Sequence, residues 1–300
     1  MSHLAAVLQE PGDTALAARG PLAGYRIEGV VGRGRHSIVY LAQRPESCGR
    51  SRVALKVARR ARLQSIGAAP EMRNEFAAMA ALAHPHVVEV FDCGFAGGAD
   101  WLAMEYAQGG NLEARRRGRH PEAGAFELLH QAASALSWIH RKGWVHRDVK
   151  PANLFLRKDG SIALGDFGTA CRRDAVDTSP PGAMVGTPRY AAPEQSEGAP
   201  AGPAADVYGL GVCLYEMLSG RPLFPGETLA EVLGQHLVAP VPQLAQELAA
   251  WQPLLDAMLA KDPGRRLPDG QAVVLQLERA RQCLSRPHGG GSSHASRNPP

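Results

Sequence analysis

The chain has 300 residues, of which 45% are hydrophobic and 21% charged, and its formal net charge at pH 7 is +4. A chain of this length and composition is expected to fold as a soluble globular protein with a substantial hydrophobic core. The small charge, without a basic stripe rich in aromatic side chains, excludes nucleic acid as an expected partner.

Residues 1–20 are predicted to be a disordered leader. They have no basic start, and Gln9, Glu10 and Asp13 interrupt their apolar residues, so they lack the pattern of a signal peptide. Residues 285–300 are rich in Gly, Ser and Pro and are predicted to be a disordered tail. The most apolar later stretch is too short to span a bilayer, and we therefore expect no membrane insertion.

Residues 21–106 are predicted to form a small lobe rich in β-structure. One helix is predicted over residues 72–82, where apolar residues recur at helical spacing. The other segments alternate or run apolar as strands do, and the first two flank a Gly-rich turn, which suggests a hairpin. The predicted strands cover residues 25–31, 38–42, 52–58, 87–91 and 101–106.

Residues 107–284 are predicted to form a larger, mainly α-helical lobe. A long amphipathic helix over residues 125–141 is followed by short strands at 154–156 and 162–164. Further helices are predicted at residues 206–219, 227–237, 247–260 and 270–284. The predicted fold class is therefore α+β, with a cleft between the two lobes.

The Gly-rich turn reads GRGRHSIV over residues 32–39. Because Gly has no Cβ, backbone N–H groups at such a turn can approach phosphate oxygens closely. A plain hairpin turn that needs positive φ explains these glycines equally well. A Rossmann turn is excluded, because a strand rather than a helix follows.

Lys56 lies inside an apolar predicted strand that reads RVALKVA. A lysine in this position is unfavourable unless anions pair with it, and Glu75 on the next predicted helix is a suitable partner. The alternative is an edge lysine whose ammonium group reaches the solvent. The sequence of this segment alone supports the paired lysine and the edge lysine equally.

Three later motifs decide between these alternatives. HRDVKPAN occupies residues 146–153, DFG residues 166–168 and GTPRYAAPE residues 186–194. With these motifs in this order, the chain resembles the eukaryotic-like (Hanks-type) serine/threonine protein kinases of bacteria over about residues 25–284. The resemblance implies the two-lobed protein kinase fold, with one main helix in the small lobe.

The resemblance also implies ATP as the phosphate donor and Mg²⁺ as the metal, with Mn²⁺ as a substitute. Asp148 would orient the substrate hydroxyl and accept its proton, and Lys150 would stabilise the γ-phosphate during transfer. Lys56 would hold the α- and β-phosphates. Asn153 and Asp166 would bind the metal through hard oxygen ligands.

The implied nucleotide site lies between the Gly-rich turn and the connection of the lobes. Met104 would be the gatekeeper, and the backbone groups of Glu105 and Ala107 would bond adenine. The predicted set is Val31, Gly32, Arg33, Gly34, Arg35, His36, Ser37, Ile38, Val39, Ala54, Lys56, Glu75, Met104, Glu105, Ala107 and Phe155. Two members depart from the family pattern, because Ser37 replaces the third glycine and Phe155 stands where leucine is more common.

Supporting residues follow from the same resemblance. Asp206 would brace the catalytic loop, and Glu194 would pair with Arg266. A hydrophobic spine linking the lobes would contain Met79, Val90, His146 and Phe167.

Regulation is predicted to act on the segment between Asp166 and Glu194. An arginine next to the catalytic aspartate is typical of kinases that are switched by phosphorylation of this segment. Thr178 and Ser179 are the candidates for autophosphorylation. Thr187 would instead pack against the catalytic loop and favour serine/threonine substrates.

Expected partners are protein substrates and a cognate protein phosphatase, in a role in signal transduction. Asn111 and Ala152 stand where arginine-directed kinases offer carboxylates, although Glu216 is retained, so we expect no strong demand for arginine upstream of the target residue. The chain is expected to be a monomer or a transient homodimer. The cysteines are odd in number and scattered, which indicates reduced thiols and a cytoplasmic location.

Two other functions are consistent with parts of this pattern. The first is a catalytically silent kinase-fold scaffold, which would be expected to lack Lys56, Asp148 or Asp166, all of which are present. The second is a small-molecule kinase, against which GTPRYAAPE speaks, since in the family this segment is a platform for protein substrates.

Overall fold

The structure is a computed structural model that describes residues 22–34, 37–44, 52–58, 70–96, 99–115, 122–174 and 185–285. The predicted leader and the tail after residue 285 lie outside these ranges. So do Arg35 and His36 of the Gly-rich turn and the phosphorylation candidates Thr178 and Ser179. Their predicted roles therefore stay predictions.

The N-terminal part is built around an antiparallel sheet. In the described part of the chain its strands are β1 (Arg26–Arg33), β2 (Ser37–Gln43), β3 (Arg52–Ala58), β4 (Val90–Ala96) and β5 (Ala99–Glu105), in the spatial order β1-β2-β3-β5-β4. Successive side chains of a strand point to opposite faces. Tyr40, Val53 and Leu55 accordingly join a hydrophobic core on one face, which leaves the other face for the cleft.

A helix, α1 (Pro70–Ala81), packs against β4 and β5 and against the turn that follows Asp166. Met79 on this helix belongs to the main hydrophobic core, which also contains buried residues of the C-terminal part such as Phe167. The helix therefore connects the sheet to the rest of the molecule.

The C-terminal part is mainly helical. Its helices in the described residues are α2 (Leu112–Arg115), α3 (Glu122–Arg141), α4 (Pro193–Ser196), α5 (Pro203–Ser219), α6 (Leu229–Val238), α7 (Gln252–Met258) and α8 (Gly270–Ser285). α3 packs against α5 and α8, and α5 is buried over most of its length. Together with the sheet, this arrangement confirms the predicted α+β fold with two lobes.

Short strand pairs carry the loops of the C-terminal lobe that face the sheet. β6 (Trp144–Val145) pairs with β9 (Cys171–Arg172), and β7 (Leu154–Leu156) pairs with β8 (Ile162–Leu164), in both cases antiparallel. The loops between β6 and β7 and after β8 contain HRDVKPAN and DFG. Both motifs therefore lie at the same edge of this lobe.

Two predicted elements are wrong in their bounds. The strand predicted at residues 87–91 begins only at Val90, because Val87 forms a parallel bridge with Leu164 of the C-terminal lobe. A short apolar run indicates a strand but not its partner. The helix predicted at residues 247–260 consists of a 3₁₀ turn over Gln246–Trp251 and then α7, because Pro253 starts a new helix.

The sequence predicts no membrane insertion, and the helices can be compared with this expectation. Of those that the structure describes, none has both the length and the apolar composition needed to span a bilayer.

Candidate active site

A cleft of about 410 Å³ brings together residues of both lobes. Among the described residues it is lined by Val31, Gly32, Arg33, Gly34, Ser37, Val39, Ala54, Lys56, Glu75, Val88, Met104, Glu105, Tyr106, Ala107, Gln108, Gly110, Asn111, Ala152, Asn153, Phe155 and Asp166. The residues predicted for the nucleotide and the metal therefore share one cleft, with the exception of Ile38 and of the two residues outside the described ranges.

The side chain of Ile38, which is predicted as part of the nucleotide site, does not line the cleft. Its side chain is 8% exposed and belongs to the core on the other face of the sheet. Its neighbours in β2, Ser37 and Val39, line the cleft instead. Because strand side chains alternate between faces, three consecutive residues cannot all point their side chains into one cleft.

Several lining residues were not predicted from the sequence. Tyr106 and Gln108 are chain neighbours of the predicted adenine-bonding residues, so their position along the chain could have identified them. Val88 enters the cleft because its N–H donates to the Leu164 carbonyl at 2.9 Å, a long-range contact without a local signal. The complete unpredicted set is Val88, Tyr106, Gln108, Gly110, Asn111 and Ala152.

Lys56 is at the centre of an ionic cluster. Its Nζ lies 2.8 Å from Glu75 Oε1, 2.9 Å from Glu75 Oε2 and 2.7 Å from Asp166 Oδ1. Burial acts to lower the pKa of Lys56, but the two carboxylates outweigh it and hold that pKa above its ordinary value. Burial alone would raise the pKa of Asp166, and Lys56 keeps it below its ordinary value. The pair predicted between Lys56 and Glu75 is present.

Strand alternation and backbone geometry bring this cluster together. On β3, Ala54 and Lys56 line the cleft, whereas Leu55 between them is fully buried in the sheet core. Glu75 is presented by α1 and is buried. Asp166 has φ of 61°, a left-handed conformation that a residue with a side chain keeps only where its surroundings hold it.

Asp148 has two carboxylate oxygens in different surroundings. Oδ2 accepts hydrogen bonds from Lys150 Nζ at 2.6 Å and from Asn153 Nδ2 at 3.2 Å. Lys150 Nζ also donates to Thr187 Oγ1 at 2.6 Å. Oδ1 is buried and has no hydrogen-bond partner within the described part of the chain. Since buried acceptors are almost always paired, this oxygen has the capacity to accept a further hydrogen bond.

Asn153 and Asp166 provide oxygen ligands that suit Mg²⁺. Asn153 Nδ2 also donates to the Asp148 carbonyl at 2.8 Å, which leaves the amide oxygen of Asn153 as the atom that could bind a cation. The described residues contain no group of three or more His, Cys, Asp or Glu side chains placed to hold a metal. This donor set fits a metal that is bound by one or two side chains and by substrate phosphates.

The loop between β6 and β7, which contains residues 146–153 and is called the catalytic loop below, is held in place by Asp206 on α5. This carboxylate, 1% exposed, accepts from the backbone N–H groups of His146 at 2.8 Å and Arg147 at 2.7 Å. His140 Nε2 lies 2.9 Å from the same carboxylate. Asp206 therefore braces the loop as predicted.

The predicted spine is formed by packing between the lobes. Met79 and Phe167 belong to one hydrophobic cluster, and Val90 packs against it. The ring centroid of His146 lies 4.8 Å from that of Phe167. His146 Nε2 is also 3.1 Å from the Gly165 carbonyl, directly before Asp166.

The connection between the lobes is anchored through the side chain of Glu105. Arg157 Nε and Nη2 donate to Glu105 Oε1 and Oε2 at 2.5 and 2.8 Å. Arg157 Nη1 also donates to the Pro85 carbonyl. The Glu105 carboxylate is thus committed to a structural pair, which is consistent with a nucleotide role for its backbone rather than its side chain.

The segment around GTPRYAAPE is fixed by two buried polar pairs. Arg266 Nη1 and Nη2 donate to Glu194 Oε1 and Oε2 at 2.7 and 3.0 Å, which confirms the predicted pair. Tyr190 Oη donates to Glu216 Oε2 at 2.9 Å, and Glu216 is only 5% exposed.

Comparison with known proteins agrees with this geometry. Residues 25–283 match the family model described as protein kinase domain. The chain is 36% identical over 274 residues to the serine/threonine-protein kinase PknA of Corynebacterium glutamicum, an alignment that covers 86% of this chain and 56% of that protein.

Two mycobacterial proteins are also similar. Identity to the serine/threonine-protein kinase PknJ of Mycobacterium tuberculosis is 35% over 263 residues, covering 84% of this chain and 44% of that protein. Identity to PknA of the same species is 35% over 258 residues, covering 82% and 58%. The chain thus spans about half the length of the curated relatives it matches.

Proposed function

The chain belongs to the protein kinase family, and we propose that it transfers the γ-phosphate of ATP to serine or threonine hydroxyl groups of proteins. One observation carries the proposal: Lys56, Asn153 and Asp166 line one cleft, and Asp148 is hydrogen-bonded to Asn153 at its base. Lys56, Asp148 and Asp166, which a silent scaffold would be expected to lack, are all present, and this speaks against a silent scaffold.

The nucleotide would be bound from both lobes. Lys56, held by Glu75, would contact the α- and β-phosphates, and Asn153 and Asp166 would hold Mg²⁺, or Mn²⁺ in its place. The metal, when bound, would neutralise charge on the phosphates. The backbone groups of Glu105 and Ala107 would bond adenine.

Asp148 and Lys150 would act on the hydroxyl that receives the phosphate. The unpartnered Oδ1 of Asp148 would accept the hydroxyl hydrogen and take up its proton. Lys150, which bonds both Asp148 and Thr187, would lie beside the transferred phosphate and balance its charge. The bond to Thr187 supports the serine/threonine substrate class expected from the sequence.

The direct test is transfer of labelled phosphate from Mg-ATP to a generic protein substrate by the purified chain, followed by phosphoamino acid analysis. We expect phosphoserine and phosphothreonine, with loss of roughly 10²-fold or more in Asp148→Asn and Asp166→Asn. Asp159→Asn is the matched control, because Asp159 is hydrogen-bonded to Ser161 and does not line the cleft, so this substitution should leave activity intact.

Three results would contradict the proposal. Binding of Mg-ADP without any turnover would support the silent scaffold, and label on tyrosine alone would contradict the substrate class. Retained activity in Asp166→Asn would show that the assigned cleft does not catalyse the reaction.

We further propose that the chain phosphorylates itself at Thr178 or Ser179 and that a protein phosphatase removes this phosphate. We also propose that the kinase acts in the cytoplasm, as a monomer or a transient homodimer. The proposal for autophosphorylation rests on the arginine next to Asp148 and on charge-assisted ordering by an added phosphate. Equal activity and equal phosphate content in wild type and a Thr178→Ala, Ser179→Ala double variant would refute it.

A further inference from the structure

The side-chain amide of Gln195 joins three parts of the chain. Within the described residues, Nε2 donates to the Arg147 carbonyl at 2.9 Å and to the Val185 carbonyl at 3.2 Å, and Oε1 accepts from the Ala192 N–H at 3.0 Å. Gln195 is 6% exposed. One buried amide thus bridges the catalytic loop, the segment before Thr187 and the start of α4.

The bond to Arg147 acts on the peptide unit that leads into Asp148. Arg147 has φ of 66°, a left-handed conformation that is unfavourable unless neighbouring groups maintain it. Its N–H is held by Asp206 Oδ1 at 2.7 Å, and its carbonyl is held by Gln195. These two bonds hold the N–H and the carbonyl of Arg147 in place. They therefore also fix the direction of the chain where it enters Asp148.

The surroundings of this carbonyl leave little room for adjustment. Gly186 has φ of 104°, and a Cβ at this position would lie 2.6 Å from the Arg147 carbonyl oxygen and 3.7 Å from Asp148 Oδ1. The segment that follows Val185 therefore passes directly against the catalytic loop. A shift of the segment that follows Val185 would therefore displace the loop at Arg147, and a shift of that loop would displace the segment.

We propose that Gln195 is a positioning residue that couples the segment around Val185 to the placement of Asp148. The proposal rests on the proposed kinase function for its kinetic consequences, although its structural consequence is independent of activity. A purely local role is the competing explanation, because Oε1 alone caps the first turn of α4.

Two substitutions separate these explanations. Gln195→Glu keeps an acceptor for the Ala192 N–H but replaces the donor that faces two carbonyl oxygens. Gln195→Met removes all three hydrogen bonds while the side chain keeps a similar length. We expect kcat to fall about 10- to 100-fold in both variants, with KM for ATP changed less than about twofold, since Gln195 lies outside the cleft lining.

Gln252→Met is the matched control. Gln252 likewise accepts from one backbone N–H, that of Leu244, and donates to one acceptor, Asp256, each at 2.9 Å, but it lies on α7 away from the cleft. It should retain wild-type kcat and KM.

Hydrogen–deuterium exchange of the full chain provides the second readout. We expect faster exchange in residues 144–150 of both Gln195 variants and wild-type exchange there in Gln252→Met. Unchanged exchange in residues 144–150, or wild-type kcat in Gln195→Glu, would overturn the proposal. An inactive wild type with the expected exchange pattern would reject the proposed function and leave the positioning role standing.

Discussion

At the scale of single residues, the side chains of Glu216 and Asn111 are both engaged in hydrogen bonds within the protein. Glu216 is buried and accepts a hydrogen bond from Tyr190. Asn111, where a carboxylate would favour basic substrates, donates to the Ala152 carbonyl at 3.1 Å and accepts from the Ala114 N–H at 3.0 Å. If these positions face the substrate, as the resemblance to the kinase family implies, they offer a basic side chain little negative charge.

We expect a peptide array to show no dominant selection for arginine upstream of the phosphorylated residue. Specificity for a charged side chain requires an unpaired partner, and burial of Glu216 withholds one. The measured quantity is the phosphate incorporated into peptides with arginine at a given upstream position, divided by that incorporated into peptides with alanine there. A ratio above about tenfold, equivalent to about 1.4 kcal/mol of discrimination, would contradict this expectation.

His236 is a second residue whose surroundings determine a measurable property. Its Nδ1 lies 2.9 Å from Tyr208 Oη. Burial, assisted by the charge of Lys261, lowers the pKa of His236 to about 4. An unfolded chain binds this proton at about pH 6.5, so the unfolded state carries more protons between about pH 6.5 and pH 4.

The free energy of unfolding should therefore decrease as the pH falls through this window, with a contribution from His236 of roughly 3 kcal/mol. His236→Asn keeps an acceptor for Tyr208 and removes the titration. In urea denaturation we expect the variant to be less stable than wild type at pH 7.5 and the difference to narrow at pH 5. A difference that stays constant between these pH values would refute the assignment.

At the scale of elements, α3 and the start of α8 pack closely at Gly270. A Cβ on Gly270 would lie 2.3 Å from the Ser137 backbone nitrogen and 2.7 Å from the Ala133 carbonyl oxygen. The Gly270 N–H donates to His140 Nδ1 at 3.1 Å, and His140 in turn contacts Asp206. The packing of α8 is thus connected to the brace of the catalytic loop.

Gly270→Ala should lower the free energy of unfolding by roughly 1–3 kcal/mol or more, because backbone atoms rather than flexible side chains oppose the added methyl group. Gly234→Ala is the control, since Gly234 lies in α6 and a Cβ added there would meet nothing within 4 Å. This second substitution should be neutral or stabilising by about 0.4–1 kcal/mol. Equal denaturation midpoints for the two variants would contradict the close packing.

At the scale of the whole molecule, Arg157 joins the two lobes. Arg157 directly follows β7, and its bidentate pair with Glu105 connects this position to the end of β5. Its bond to the Pro85 carbonyl reaches the loop ahead of β4. Bidentate arginine–carboxylate pairs restrict orientation as well as distance. This pair therefore restrains the relative position of the lobes beside the cleft that Glu105 lines.

Arg157→Leu is expected to weaken Mg-ADP binding by roughly 3- to 10-fold, an effect on the order of 1 kcal/mol, because the backbone that we propose to bond adenine loses its anchor. Calorimetric titration measures the change. Arg172→Leu removes a comparable bidentate pair with Asp174, but both side chains are exposed on the surface, so binding should stay at the wild-type value. Equal affinities in both variants would show that Arg157 does not restrain the cleft.

Much of the site was accessible from the sequence because its chemistry is concentrated in short motifs. Asp148, Lys150 and Asn153 fall within one eight-residue stretch, and Asp166 follows 13 residues after Asn153. Lys56 was ambiguous on its own strand, and only these motifs gave it a partner and a role. The alternation of strand side chains explains why Ile38 packs in the sheet core while Ser37 and Val39 line the cleft.

The sequence alone determined the family, the order of the lobes and the chemical groups of the cleft, because these depend on local patterns and on the identity of a few side chains. Only the tertiary structure decided that Val87 bridges to Leu164, that Glu216 is occupied by Tyr190, and that Gln195 holds the Arg147 carbonyl. Each of these contacts joins residues that are far apart along the chain. No local periodicity encodes such pairings, since they depend on how separate elements pack and on which polar groups burial obliges to find a partner.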